Sequence, residues 1–104
     1  MIKICKTNNS YFQDPLQEES TGIFMKFHNG NTISIQWGKG TYGSYRDEAA
    51  KPETLTAEVL ISNVDVEGGN FPIQPIGWCE ADEVAKLIYQ ASTFSFEDLI
   101  EEYK

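Results

Sequence analysis

Two strand-like runs joined by Asn29-Gly30 restrict the fold more than any other feature of the chain. Ile23-Phe24-Met25-Lys26-Phe27-His28 leads into the pair, and Asn31-Thr32-Ile33-Ser34-Ile35-Gln36-Trp37 leaves it. Asn-Gly accepts positive φ at both positions, which a two-residue hairpin turn requires, so an antiparallel hairpin is expected here. Alternation sorts its side chains. Ile33, Ile35 and Trp37 share one face of the second run, opposite Thr32, Ser34 and Gln36. On the first run Ile23, Met25 and Phe27 point one way, and Phe24, Lys26 and His28 the other. A hairpin with one apolar face needs a covering layer.

That layer is expected from the C-terminal end, where the period becomes helical. Ala81, Val84, Ala85, Ile88 and Ala91 recur at helical spacing, with Leu87 widening the stripe and Asp82 and Glu83 in the first turn. A second short helix begins at Ser95, which with Asp98 resembles a capping box. Phe96, Leu99, Ile100 and Tyr103 form its apolar stripe, and Glu97, Asp98, Glu101 and Glu102 its polar surface.

The remaining segments complete an α+β reading. Met1 to Cys5 reads as a short strand, and Lys6 to Gly22 as a polar leader with a turn at Asp14-Pro15. Thr41 to Thr54 is loop; Thr56 to Asn63 alternates, with Ala57, Val59 and Ile61 inward; Gly68-Gly69-Asn70 is a turn. Pro72 and Pro75 push Phe71 to Trp78 to a sheet edge or out of the sheet, because proline cannot donate to a ladder. The expectation is one domain over 1–104: an irregular leader (1–22), an antiparallel sheet (23–78) and a helical part (80–104). The sheet has about four strands, with one or two C-terminal helices packed on one face.

Charge narrows the partners. The net charge is -8, with sixteen acidic residues against eight basic ones. Eleven of the acids follow Pro52, where only Lys86 and Lys104 are basic. Such a surface repels nucleic acid and anionic lipid and attracts basic protein surfaces. With 104 residues and no long apolar run, the chain reads as one domain without a membrane span or signal peptide. The expected compartment is the cytoplasm of a host cell. Cys5 and Cys79 are then free thiols, Cys5 in the core and Cys79 near a helix N-terminus, where a thiolate is favoured.

Chemistry-bearing patterns are sparse. Gly38-Lys39-Gly40-Thr41-Tyr42-Gly43 matches G-x-G-x-x-G after a strand. However, the strand belongs to a hairpin rather than a βαβ unit, so no nucleotide cofactor is expected. The segment instead displays Tyr42, Tyr45 and Arg46. His28 is the single histidine, which excludes two-histidine metal sites. No cofactor, metal or catalytic residue is assigned.

The run Asn29-Gly30-x-Thr32-Ile33-Ser34-Ile35-Gln36-Trp37-Gly38-x-Gly40-x-Tyr42, with Arg46 following, resembles a family of small phage and prophage proteins. Ala57-Glu58-Val59, Gly77-Trp78 and Asp82-Glu83-Val84-Ala85-x-Leu87-Ile88 are similar to it in the same order. The leader and the acidic extension from Phe94 depart from that pattern, as does Gly43, where a small residue, often cysteine, is expected. The resemblance implies origin in a mobile element and lends no catalytic residue.

Together these readings lead to a phage-type accessory protein, not an enzyme, that binds and inhibits a host protein handling nucleic acid or serving defence, as anti-CRISPR proteins do. Glu97, Asp98, Glu101, Glu102, Tyr42, Tyr45 and Arg46 are its candidate contacts with a basic host surface. The alternatives are an assembly module forming a homodimer and, third, a small-substrate enzyme.

Overall fold

The computed structural model describes residues 1–7, 20–48, 50–66 and 71–103. Five strands precede two helices: β1 (Ile2–Thr7), β2 (Ser20–Lys26), β3 (Asn31–Gly38), β4 (Ala57–Asn63), β5 (Ile76–Cys79), α1 (Ala81–Thr93) and α2 (Phe96–Tyr103). The strands form one sheet in chain order, each antiparallel to its neighbour. The architecture is the expected α+β one, with the proline-flanked segment supplying a fifth strand. Pro72 and Pro75 lie before β5, so its ladder forms only after the last proline. The leader is shorter than read, because β2 begins at Ser20 and pairs Thr7 with Ser20. The turns expected at Asp14-Pro15 and Gly68-Gly69-Asn70 lie outside the described residues.

Register confirms the two faces of the sheet. Ile23, Ile35 and Val59 stand side by side across β2, β3 and β4, as do Met25, Ile33 and Ile61. Ile33, Val59 and Ile61 are buried to within 1% of full burial, because the helices lie over this part of the sheet. Burying each such side chain contributes about 1.5–3 kcal/mol.

The hairpin turn differs from expectation. Phe27 N donates to Asn31 O (2.9 Å) and Gly30 N to Phe27 O (3.0 Å), which leaves three residues in the loop rather than two. Only Gly30 (φ 87°) is left-handed there. This is the three-residue arrangement, a turn closed by a left-handed glycine. Asn29 is therefore released from the backbone role and acts through its side chain. Its Nδ2 donates to Ala91 O (3.0 Å) and Phe94 O (3.3 Å), and its Oδ1 accepts from Asn31 N (3.0 Å).

Asn31 reinforces the same junction. Fully buried, it donates from Nδ2 to Ala91 O (2.9 Å) and Phe94 O (2.8 Å). Its Oδ1 accepts from Asn63 Nδ2 (2.9 Å). A helix leaves its last carbonyls without internal donors, and α1 has no basic residue in its last turn. Two asparagine amides of the hairpin fill that place, fixing α1 on the sheet.

Leu87, Gln90 and Ala91 form the buried line of α1, with Val84 and Ile88 half-buried beside them. Ala81 and Ala85 were expected in that stripe but are exposed. The helix turns its bulkier Leu87 inward, and the small alanines are left lining an apolar groove of about 360 Å³ with Trp37 and Leu55. In α2, Ser95 Oγ accepts from Asp98 N (3.2 Å), as a capping serine does. Phe96 and Leu99 are buried and Ile100 and Tyr103 half-buried, with the Tyr103 hydroxyl donating to Gln90 Oε1.

Candidate protein-binding site

The seven candidate contacts divide between the two ends of β3. Asn31, at its start, touches the last turn of α1, and α2 follows directly. Gly38, at its other end, opens the loop that carries Tyr42, Tyr45 and Arg46. Seven steps of about 3.3 Å along this eight-residue strand put roughly 23 Å between its ends. The structure does not bring the acids and the aromatic loop together.

At the helical end, Glu97, Asp98, Glu101 and Glu102 are all exposed. The opposite side of α2 sits in the core, so the carboxylates project from a helix with little freedom to lose on association.

The loop end is built from close contacts. Gly38 (φ 111°) and Gly40 (φ 84°) reverse the chain. Thr41 Oγ1 donates to Gly38 O (2.7 Å), and Gly40 N to Arg46 O (2.9 Å). Tyr42 N donates to Glu58 Oε2 (2.7 Å), and its carbonyl accepts from Trp78 N (2.7 Å). A Cβ at Gly77 would lie 2.7 Å from Tyr42 Cβ, so only glycine allows this approach. Gly43 is held nearly as tightly, since a Cβ there would meet Thr56 O at 3.3 Å. Ser44 N donates to Thr56 Oγ1 (2.8 Å).

These bonds display an aromatic and cationic cluster. The Arg46 guanidinium lies 5.0 Å from the centroid of the Tyr42 ring, and Lys51 Nζ 4.8 Å from that of Tyr45. Tyr45, Arg46, Lys51 and Trp78 line an open cleft of about 430 Å³, with Tyr42 stacked on Arg46 beside it. Tyr42 is 49% exposed and Trp78 55%. Two residues at this cleft have left-handed backbones without being glycine, Tyr45 (φ 64°) and Trp78 (φ 56°), and among the described residues no others do. Each costs about 1–2 kcal/mol relative to ordinary backbone.

Trp78 is the contact that sequence reading missed as a site residue. Its neighbour Gly77 was a visible signal, but the backbone sign was not. Lys51 was likewise hidden in a loop without periodicity.

The glycine-rich segment has no phosphate-cradle geometry. The amides of Gly40, Tyr42 and Ser44 already donate within the protein, as does that of Thr41, to Gly38 O (3.1 Å), and turns rather than a helix follow Gly43. Cys79 immediately precedes Glu80, the N-cap of α1, yet its thiol is not activated. Burial pushes its pKa up, and the Glu83 carboxylate adds to the rise. His28 is exposed in the hairpin turn, at the far end of the sheet from Cys79. Among the described residues no group of three or more His, Cys, Asp or Glu side chains could hold a metal ion. None of their helices is long and apolar enough to cross a membrane. Comparison with protein-family models, curated proteins and solved structures finds no match to the chain.

Proposed function

We propose that this chain is a phage-type accessory protein that binds and inhibits a host protein handling nucleic acid or serving defence, in the manner of anti-CRISPR proteins, and that it catalyses no reaction. The observation that carries the binding reading is the cleft. Exposed Tyr, Trp and Arg side chains are the residue types that anchor protein interfaces, and strained backbone is retained where the display of a side chain matters. The acids have a different part. A net charge of -8 draws a basic partner and raises the rate of encounter, while the cleft holds the partner once docked. A basic groove made for DNA or RNA fits this division, and the phage origin rests on the resemblance in the hairpin and in α1.

The test is capture from a host lysate treated with nuclease, using the wild-type protein and a variant carrying Tyr42→Ala and Arg46→Ala. A basic, nucleic-acid-handling protein retained by the wild type and lost from the variant is the expected result. Retention of the same protein by both would contradict the cleft as anchor. If the wild type retains no protein, the binding reading fails.

A further inference from the structure

We infer that the chain forms a two-fold homodimer by antiparallel pairing of β1 with β1 of a second copy, continuing the sheet from five strands to ten. The inference is independent of the host partner and starts from the backbone. Met1 and Lys26 exchange both of their hydrogen bonds, N to O at 2.9 Å in each direction. Bonded pairs alternate along an antiparallel ladder. With the observed register, Lys3, Cys5 and Thr7 therefore bond inward to β2. Ile2, Ile4 and Lys6 turn their N–H and C=O groups to the outer edge.

The two edges of the sheet are unequal. β5 is four residues long, follows two prolines, and has irregular register against β4 between Ala57 and Val59. Short, proline-flanked and irregular strands are how sheets protect an edge. β1 has six residues, no proline, and a regular register with β2. It also exposes two isoleucines, Ile2 (75%) and Ile4 (72%), on the face where Ile23 and Met25 lie. An edge of this kind is a template for another strand.

Self-pairing has one register that suits the sequence. Residues with outward backbone groups must meet one another, so even positions pair with even positions. Pairing Ile4 with Ile4 of the second copy sets Ile2 against Lys6 and forms the full set of bonds from positions 2, 4 and 6. It also sets Lys3 against position 5 rather than against Lys3 of the second copy, where like charges would oppose. The isoleucines then share one apolar seam. Because among the described residues β1 is the one sheet edge without such protection, association through it closes at two copies.

Salt separates this association from host binding. Each copy carries -8, so screening favours the dimer and weakens attraction to a basic partner. The experiment is light scattering on the wild-type chain at about 0.5 mM, a concentration that populates even a weak dimer, at low and high salt. A mass of twice 11.8 kDa, with the dimer fraction rising with salt, is expected. Ile4→Pro removes the outward N–H while leaving the β1–β2 bonds in place, and should give 11.8 kDa with an unchanged circular dichroism spectrum. Hydrogen exchange at the Ile4 amide of the wild type should slow by more than ~10-fold between dilute and concentrated samples. A monomer at the high concentration, or an Ile4 amide that exchanges equally fast at both, would overturn the inference. So would a dimer that persists in Ile4→Pro.

Discussion

The two ends of β3 solve opposite problems. At the hairpin end, polar groups around the buried Asn31 are matched with one another: Asn29 and Asn31 supply donors for the last carbonyls of α1, and Asn63 holds Asn31 in place. At the loop end, two aromatic residues sit in left-handed backbone and their rings meet solvent or a cation. One end stabilises the fold and the other is held in an unfavourable form by it. A satisfied network gives rigidity, and rigidity is what lets a strained loop keep its shape without a partner.

Substitutions at the hairpin end should therefore cost the most. Asn31→Leu leaves Asn63 Nδ2 without its acceptor and Ala91 O and Phe94 O with Asn29 as their remaining side-chain donor, and should destabilise by about 3 kcal/mol. Urea unfolding measures this, and a loss below about 1 kcal/mol would show that the junction is not the fastening described. Gly30→Val should cost about 1–3 kcal/mol in the same assay, through φ rather than contact. A Cβ there meets nothing closer than Asn63 Nδ2 at 3.4 Å, so an undiminished stability would place the positive φ in error.

At the loop end the sign reverses. Trp78→Gly and Trp78→Ala both remove the ring, so their difference isolates the backbone. Glycine should be the more stable of the two by about 1 kcal/mol, whereas in ordinary strand it is the less stable. Thermal unfolding of the pair decides it. An alanine variant as stable as the glycine one would remove the strain from the comparison.

The smallest effect concerns Cys79. Its folded thiol keeps its proton above the ordinary value of 9.0, so the unfolded chain ionises first and stability declines as pH rises beyond that value. Cys79→Ala should lack this alkaline decline. In a Cys5→Ser background, alkylation of Cys79 should run well below the rate in urea, because the thiol is buried and protonated. Equal rates would show an accessible thiolate.

Legibility in the sequence followed the range of the forces involved. The faces of β2, β3 and β4 were visible because alternation is local, and Ile33, Val59 and Ile61 are buried as read. The stripe of α2 was visible for the same reason. The turn at Asn29-Gly30 was misjudged because the carbonyls that employ Asn29 lie more than sixty residues away. Ala85 was misjudged because helical period gives a stripe but not which of its edges meets the sheet. The four acids and Tyr42, Tyr45 and Arg46 were legible as exposed groups. Their separation by the length of β3 was not, since it depends on where α1 ends. Trp78 stayed hidden because tryptophan gives no local signal for a left-handed backbone, and its amide bonds Tyr42, thirty-six residues away.

The most direct test of the division between steering and anchoring is kinetic. Association and dissociation rates with the captured host protein would be measured for three forms at low and moderate salt. These are the wild type, the Glu97→Gln, Asp98→Gln, Glu101→Gln, Glu102→Gln variant, and the Tyr42→Ala, Arg46→Ala variant. The acid variant should associate more slowly at low salt and dissociate at the wild-type rate. The loop variant should associate normally and dissociate faster by ~10-fold or more. A loop variant that dissociates as slowly as the wild type would contradict the account.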